Sequence, residues 1–408
     1  MTSDDPPPEL AEDTGDFVES DDEGEIEETC EPRSRYFRDP DTFSSWYCPI
    51  RIGEVLHKQY RIEHKLGWGG FSTVWLARDL HTNLLVCLKI LSISQHSHME
   101  QRIHFEITKS LNSFDHARNV DPPARFTYKV LVLPVRGPSL NTVCLKVEPD
   151  IRIPASRHLL MAVKCLHDAG IIHRGYTDIN SGAAMWDIER ITHWSTSEVY
   201  KRIRRPRKVP LCDDENRYIG DLVEDWDATW NFPSDLLRPS LSLGDFSHAV
   251  LASEVKKSVQ WPLTFCAPER YHGQETTFAS DMWGFMLLFV QLYSSVCLSY
   301  GGGSDLVSRV VGALGPFPEE WEGNCTLINS HDWWYDQTGQ FPHTDHGSPY
   351  TTLEEKLAYR RPDATPEELE IASKVIRKGL RYKPEERITA AQLLEDPSFK
   401  ALLAYYER

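Results

Sequence analysis

The stretch HRGYTDINSGAAMW, residues 173–186, holds side chains suited to chemistry. A carboxylate that accepts a hydroxyl proton, followed five residues later by a carboxamide that holds magnesium, is an arrangement used to move a phosphoryl group. The stretch offers Asp178 and Asn180, but only two residues apart. A second set stands upstream. Gly67 and Gly69 let the backbone approach phosphates closely, because a side chain there would collide with the ligand. Lys89 follows Gly67 by twenty-two residues and is placed to pair with α- and β-phosphates. A lysine in that role needs a carboxylate to hold it, and Glu106 stands seventeen residues further on. Taken alone, Glu106 reads as an ordinary solvated glutamate.

These groups need elements to position them. Residues 60–90, YRIEHKLGWGGFSTVWLARDLHTNLLVCLKI, show two apolar-alternating runs around a Gly-rich turn, which predicts a hairpin, with VCLKI as a third strand. Phe71 is placed to cap the turn and Val74 to cover an adenine face. QRIHFEITKSL (101–111) sets Ile103, Ile107 and Leu111 at helical spacing and carries Glu106. ASRHLLMAVKCLHDAGII (155–172) is a second helical pattern, with Gly170 as its C-cap, and it delivers the chain to 173–186. The longest apolar run, MWGFMLLFVQLYSSVCL (282–298), is interrupted and too short for a membrane span, so it reads as a buried helix.

Composition bounds the rest. With 408 residues, 40% hydrophobic and 11% aromatic, the chain can build one large domain or two modest ones. The net charge of −17 is local: Met1–Glu31 holds fourteen Asp or Glu and no Lys or Arg, and without them the body carries −3. Such a segment cannot bury enough apolar surface to offset the entropy of ordering, so residues 1–40 are expected to form a disordered acidic tail. Its role is either solubilising, or docking or autoinhibitory towards a basic partner. Nine cysteines with no CxxC pair and no HExxH give no support to a metal or redox site and read as reduced thiols of an intracellular protein. The first residues are acidic rather than basic and apolar, so no signal peptide is expected.

The wording of residues 47–80 resembles the N-terminal lobe of the eukaryotic SR-protein kinases, particularly the fungal ones. Their lobe opens like Tyr-x-Pro-Val-x-Ile-Gly and their loop reads like Leu-Gly-Trp-Gly-x-Phe-Ser-Thr-Val-Trp; Tyr47, Pro49, Ile52, Gly53 and the block 66–76 match. The resemblance runs from about residue 40 to the C-terminus. It implies an α+β bilobal fold: a small antiparallel-sheet N-lobe with one main helix over 41–137, and a larger, mainly helical C-lobe over 138–408. An ATP–magnesium cleft would lie between them. Leu66, Gly67, Gly69, Val74, Lys89 and Glu106 would surround the nucleotide, with Leu133 as gatekeeper and Arg136 offering a hinge N–H. Pro134 lacks an N–H, but only its carbonyl is asked for.

The resemblance also shows departures. Only NSFDHARNVDPPARFT separates Leu111 from YKVLVLPV (128–135), so the fourth strand of the small lobe is expected to be short or irregular. LSLGDFSHAV (241–250) resembles the magnesium-binding turn, with Asp245 as the metal ligand, Phe246 behind it and Ser247 where Gly is usual, at a backbone angle that Ser tolerates less well than Gly. Glu269 and Arg387 resemble a buried pair, and Asp281 resembles the anchor of the catalytic loop. DLVSRVVGALGPFPEEW (305–321) carries the Leu-Gly-Pro wording of this branch. A charged insert at about 188–240 contains the basic run KRIRRPRK (201–208), readable as a nuclear-import signal, a docking strip or a solvated loop.

Two registers of 173–186 compete. Read without a gap, Gly175 falls where the base belongs and Asn180 where the metal-holding carboxamide belongs. Read with Arg174–Tyr176 inserted, Thr177-Asp178 matches the Thr-Asp pair of the SR-protein kinases and Ala183 takes the carboxamide's place. We favour the second, because Ile179 then fits the family and AAMW falls where a strand should begin. Neither register keeps both residues, and neither keeps a Lys two positions after the base.

The expectation is a Ser/Thr protein kinase using ATP and Mg2+, with Asp178 as base. It would act as a monomer on protein substrates, Arg/Ser-rich in the family's terms, in the cytoplasm, the nucleus or both, binding neither nucleic acid directly nor membrane. Local support for Arg-rich substrates is confined to acidic residues such as Glu319, Glu320 and Glu322. The rival is a pseudokinase, a nucleotide-binding or scaffolding module with little or no transfer, favoured by Asn180, Ala183 and Ser247.

Overall fold

In the computed structural model, the alternation between Tyr60 and Leu91 folds as an antiparallel meander. The described residues are 48 and 50–406, except 70, 94, 112–116, 121–127, 144–146, 175–178, 207, 213–217, 224–232, 256–264, 296–297, 299–302, 326–329 and 339–350. The acidic tail, Tyr47 and Pro49 lie outside them, as does Asp178. The chain divides into two compact units. One comprises the chain up to Gln101 with Phe114–Arg136 and Ile188–Leu236; the other comprises Arg102–Ser113, Gly137–Asp187 and Leu237–Arg408.

In the first unit, β1 (Val55–Leu56), β2 (Tyr60–Gly69), β3 (Ser72–Asp79), β4 (Leu84–Leu91), β5 (Ala117–Val120) and β6 (Tyr128–Leu133) form one sheet. Its order is β1-β2-β3-β4-β6-β5, and every pairing is antiparallel. The strand expected to be short, β5, is four residues long. Side chains alternate between faces along a strand. Trp75, Ala77, Leu88 and Ile90 accordingly pack with Ile62, Tyr128 and Val130, while Leu76, Cys87 and Leu66 cluster on the other side with Val74 and Leu133. Helix α1 (Gln95–Leu111) follows β4.

The insert was expected inside the large lobe, but Ile188–Leu236 belongs to the unit of the sheet. A buried carboxylate explains part of this. Glu63 on β2 is 1% exposed, and a charge so placed must be paired and hydrogen-bonded. Arg78 of β3 supplies a cation at 2.7 Å, and Thr196 of the insert donates its hydroxyl at 2.9 Å. Tyr200 donates to the Glu63 carbonyl at 3.0 Å, and Arg78 reaches the Trp194 carbonyl at 2.7 Å. The insert helix (Thr196–Ile203) starts with a Ser195–Glu198 capping box, and its Val199, Tyr200 and Ile203 join the cluster of Leu76 and Cys87.

The second unit is mainly helical. Its centre is α2 (Pro149–Asp168) and α3 (Phe278–Ser294). Every residue of α3 from Ser280 to Val290 is buried, as expected of a helix apolar on all sides. Among the described residues no helix is long and apolar enough to cross a membrane. Helices α4 (Gly303–Leu314), α5 (Leu353–Arg360), α6 (Pro366–Gly379), α7 (Ala390–Glu395) and α8 (Pro397–Ala404) contribute to the same core. At Gly379 a Cβ would collide with the Met286 side chain, so glycine permits close packing there. Two short strand pairs frame the loops of interest: β7 (Ile171–Ile172) with β10 (Val250–Leu251), and β8 (Ala184–Ile188) with β9 (Leu237–Leu243).

Candidate active site

Lys89 sits mid-strand on β4, opposite Val74 and Leu131. Its register puts it on the face of Cys87 and Val74, away from Leu88 and Ile90. Lys89 is 9% exposed, and its Nζ lies 2.5 Å from Oε1 of Glu100, which is 1% exposed. This corrects the expected partner: the carboxylate is Glu100, not Glu106. Glu100 precedes Ile103 by three residues and Ile107 by seven, so it shares their side of α1. Glu106 lies about 120° further around at 3.6 residues per turn. It is half-buried beside Arg102, whose charge is favoured first by its hydrogen bonds to Glu254 and then by Glu106. A signal for Glu100 was present in the spacing of Ile103 and Ile107.

The other residues expected around a nucleotide in this unit are placed as follows. Leu66 is buried, and Val74 and Leu133 are partly buried in its cluster. Gly67 pairs with Val74 and Gly69 with Ser72. A methyl at either glycine would meet nothing within 4 Å, so packing of the chain does not require their bareness; it leaves room for a ligand. Leu133 pairs with Cys87 at the end of β6, and Pro134–Arg136 follow, Arg136 half-buried. Burial pushes the Cys87 thiol up to about 12, which keeps it a neutral packing group.

In the second unit a buried anchor organises the loop after β7. Asp281, in the first turn of α3, is fully buried and accepts the backbone N–H groups of His173 at 2.8 Å and Arg174 at 3.1 Å. His167 of α2 approaches the same carboxylate at 3.1 Å. His173 donates from Nε2 to the Gly244 carbonyl at 2.9 Å, which ties the loop to the turn that carries Asp245. Phe246 packs edge-on to His173 and His104, in a cluster with Ile103, Leu166 and Ile171. Glu269 and Arg387 form the expected pair, bidentate at 2.9 and 3.0 Å with both side chains inaccessible, and Ser280 donates to Glu269.

Two backbone angles in this region are unusual. Arg174 has φ +49° and Asp245 φ +57°, a left-handed conformation that non-glycine residues adopt at a cost. The expectation put the strain on Ser247. Ser247 is not in that region; the strained residue is Asp245, and Ser247 donates its hydroxyl to Asp245 Oδ1 at 3.0 Å.

Asn180 Oδ1 accepts the N–H groups of Gly182 at 2.9 Å and Ala183 at 3.2 Å, closing its own turn. Ala183 gives its carbonyl to the N–H of Gly244, the residue before Asp245, at 2.8 Å. Ala183, itself buried, is therefore the residue whose backbone meets the Asp245 turn.

No family model matches the chain. It is 27% identical to a serine/threonine protein kinase of Aspergillus fumigatus over 86% of this chain and 87% of that protein. It is 24% identical to the serine/threonine-protein kinase SRPK of Physarum polycephalum, over 94% of this chain and 93% of the other. A block of 50 residues is 44% identical to human SRSF protein kinase 3, covering 12% of this chain and 9% of that one. The crystal structure of a kinase domain matches with a TM-score of 0.60 at 15% identity, over 86% of this chain and 98% of that one, a likeness of fold. The chain has the protein-kinase fold and is similar to the SR-protein kinases.

The relatives support protein-kinase function. Protein kinases use ATP and Mg2+, and the residues present suit that pair unequally. Lys89 with Glu100 and the open space at Gly67 and Gly69 fit a polyphosphate. Asp245 offers the hard oxygen that Mg2+ prefers, while Ala183 offers none.

Proposed function

We propose that this kinase moves the γ-phosphoryl group of ATP onto Ser or Thr hydroxyls of protein substrates, Arg/Ser-rich segments among them. The buried Lys89–Glu100 pair carries the reading. Taking two charges out of water is costly and adds little to stability relative to apolar packing, so such a pair points to a purpose beyond packing. Held there, Lys89 would meet the α- and β-phosphates. Leu66, Val74 and Leu133 would cover the adenine, and the Pro134 carbonyl and Arg136 N–H would meet its edge.

In the step itself the substrate oxygen bonds to the γ-phosphorus as the bond to the β,γ-bridging oxygen breaks. ADP leaves, and the hydroxyl proton passes to the Asp178 carboxylate. Magnesium, when bound, supplies charge neutralisation at the phosphates, and Asp245 would hold it. Glu319 and Glu322 are exposed and free to face substrate arginines, whereas Glu320 already pairs with Lys383.

A second reading, nucleotide binding without transfer, is favoured by Ala183 beside the Asp245 turn and by the use of Asn180 within its own loop. Radiolabelled transfer from ATP–Mg2+ to an Arg-Ser repeat peptide decides between them, comparing the natural chain with Asp178→Asn and Lys89→Met. Transfer abolished by both changes supports the kinase with Asp178 as base. Absence of transfer from the natural chain, with ATP still raising its melting temperature, supports the binding module.

A further inference from the structure

Two segments of opposite charge take no part in the chemistry above. Met1–Glu31 carries fourteen carboxylates and no Lys or Arg, and KRIRRPRK at 201–208 carries six basic residues in eight. The described part of the basic run has a fixed place. It begins in the last turn of the insert helix, whose capping box and buried Thr196, Val199, Tyr200 and Ile203 hold it in the unit of the sheet. With that face buried, Lys201, Arg202 and Arg204 are exposed. Arg205 lies over the Tyr200 ring at 5.1 Å, and Arg202 over Trp194 at 5.9 Å while it pairs with Asp235. These contacts order the guanidinium groups along one strip.

The helix dipole explains part of the run, since cations are favoured in a last turn. That covers Lys201 and Arg202. It does not cover Arg204, Arg205, Arg207 and Lys208, which continue past the helix end at Ile203.

We propose that the acidic segment Asp4–Glu31 docks in cis on the basic strip Lys201–Arg205 of the insert helix. Charge complementarity selects the occupant, and chain length permits it. The described fold begins at Cys48, which is buried in a core of the same unit as the insert helix. Residues 32–47 join Cys48 to the acidic segment. A linker of that length spans about 22 Å r.m.s. as a flexible chain and about 54 Å at full extension. The tether makes the encounter intramolecular, at an effective concentration of order millimolar, so even a weak contact between carboxylates and guanidinium groups is populated. The docked segment covers the strip and withdraws it from other acidic partners, and salt weakens the contact.

Carbodiimide cross-linking of the full chain, followed by peptide mass mapping, tests this, because the reagent joins only an amine and a carboxylate in contact. Lys201 is the probe. Lys58, exposed in the turn between β1 and β2, is the control for mere tethering, since it lies in the same unit. At low salt, links from Asp4–Glu31 to Lys201 should exceed those to Lys58 by about fivefold or more, the excess that a populated tethered contact gives. They should fall to parity in about 0.5 M NaCl, where screening shortens to a few ångströms. R202Q/R204Q/R205Q should likewise bring Lys201 down to the Lys58 level, with an unchanged melting temperature showing the fold intact. The salt series needs no variant and stands alone if that one unfolds. Parity at low salt overturns the proposal, and so does a Lys201 signal that the three substitutions leave untouched in a folded chain. Links between chains, read from a mixture of 15N-labelled and unlabelled protein, overturn it in favour of a second copy.

Discussion

Lys89 and Asn180 are polar residues at places where nucleotide chemistry is expected, and the fold treats them oppositely. Lys89 is drawn out of water and held by the deeply buried Glu100. Asn180 turns its carboxamide oxygen onto the N–H groups of its own loop, and the adjoining place beside the Asp245 turn goes to Ala183. The first arrangement isolates a charge that an incoming polyanion can use. The second satisfies local backbone and leaves one fewer oxygen for a metal ion. The contrast teaches that burying a paired lysine and presenting a carboxamide to a ligand are separable demands on a fold, and here the first is met without the second.

The sharpest way to break that comparison is Lys89→Met. We expect it to erase the rise in melting temperature caused by ATP–Mg2+ and to lower transfer by about 10²–10³, as for loss of one preorganised electrostatic contact. A persisting thermal shift would show that the nucleotide is held elsewhere. Next comes a paired test on α1. Glu100→Gln leaves a buried ammonium without its counter-charge and should cost about 3–5 kcal/mol in stability, read by denaturant unfolding. Glu106→Gln, at a half-buried site beside Arg102, should stay within about 0.5 kcal/mol. Equal effects would reverse the assignment of the clamp.

Ala183→Asn sharpens the other side. It places a carboxamide next to the Asp245 turn and should raise transfer about tenfold at limiting Mg2+, within the range one added electrostatic contact supplies. A magnesium titration of the rate checks it, and an unchanged curve would mean that Ala183 is not what limits turnover. The smallest effect lies far from both regions. Arg377 holds the Glu354 carboxyl at about 2, against an ordinary 4.5. A folded-state value depressed in this way stabilises above the unfolded value, and the contribution fades as pH falls from about 4.5 towards 2. The pair is 40% and 49% exposed, so solvent screens it. Melting temperature followed from pH 5 to pH 2.5 should show Glu354→Gln converging on the natural chain at the acid end.

Several site features could be read directly from residue spacing. The meander from Tyr60 to Leu91, with Lys89 on its third long strand, follows from alternation, because a pleated strand must show its faces in turn. Asp281, and the Glu269–Arg387 pair, stand where the motif wording put them. The choice of Glu100 over Glu106 was harder. Both are glutamates on one helix, and only the rotation of that helix against β4 decides which reaches Lys89. Ile103 and Ile107 mark the rotation, but Leu111, also counted as an inward residue, left it less sharply defined. The strain expected at Ser247 was misplaced by one turn geometry: a residue type says what angle it resists, not which neighbour will take it.

By itself the sequence determined the alternation that makes the sheet, the glycines that keep one turn bare, the lysine on its third long strand, and the likeness to SR-protein kinases. These are local patterns, carried by spacings of two to twenty-two residues. Only the tertiary structure decided that the insert joins the unit of the sheet through Glu63, that Glu100 is the partner of Lys89, and that Ala183 rather than Asn180 stands beside the Asp245 turn. The physical reason is common to all three. A charge or polar group must find partners once it leaves water, and which partners are within reach depends on what the fold has brought together, not on distance along the chain.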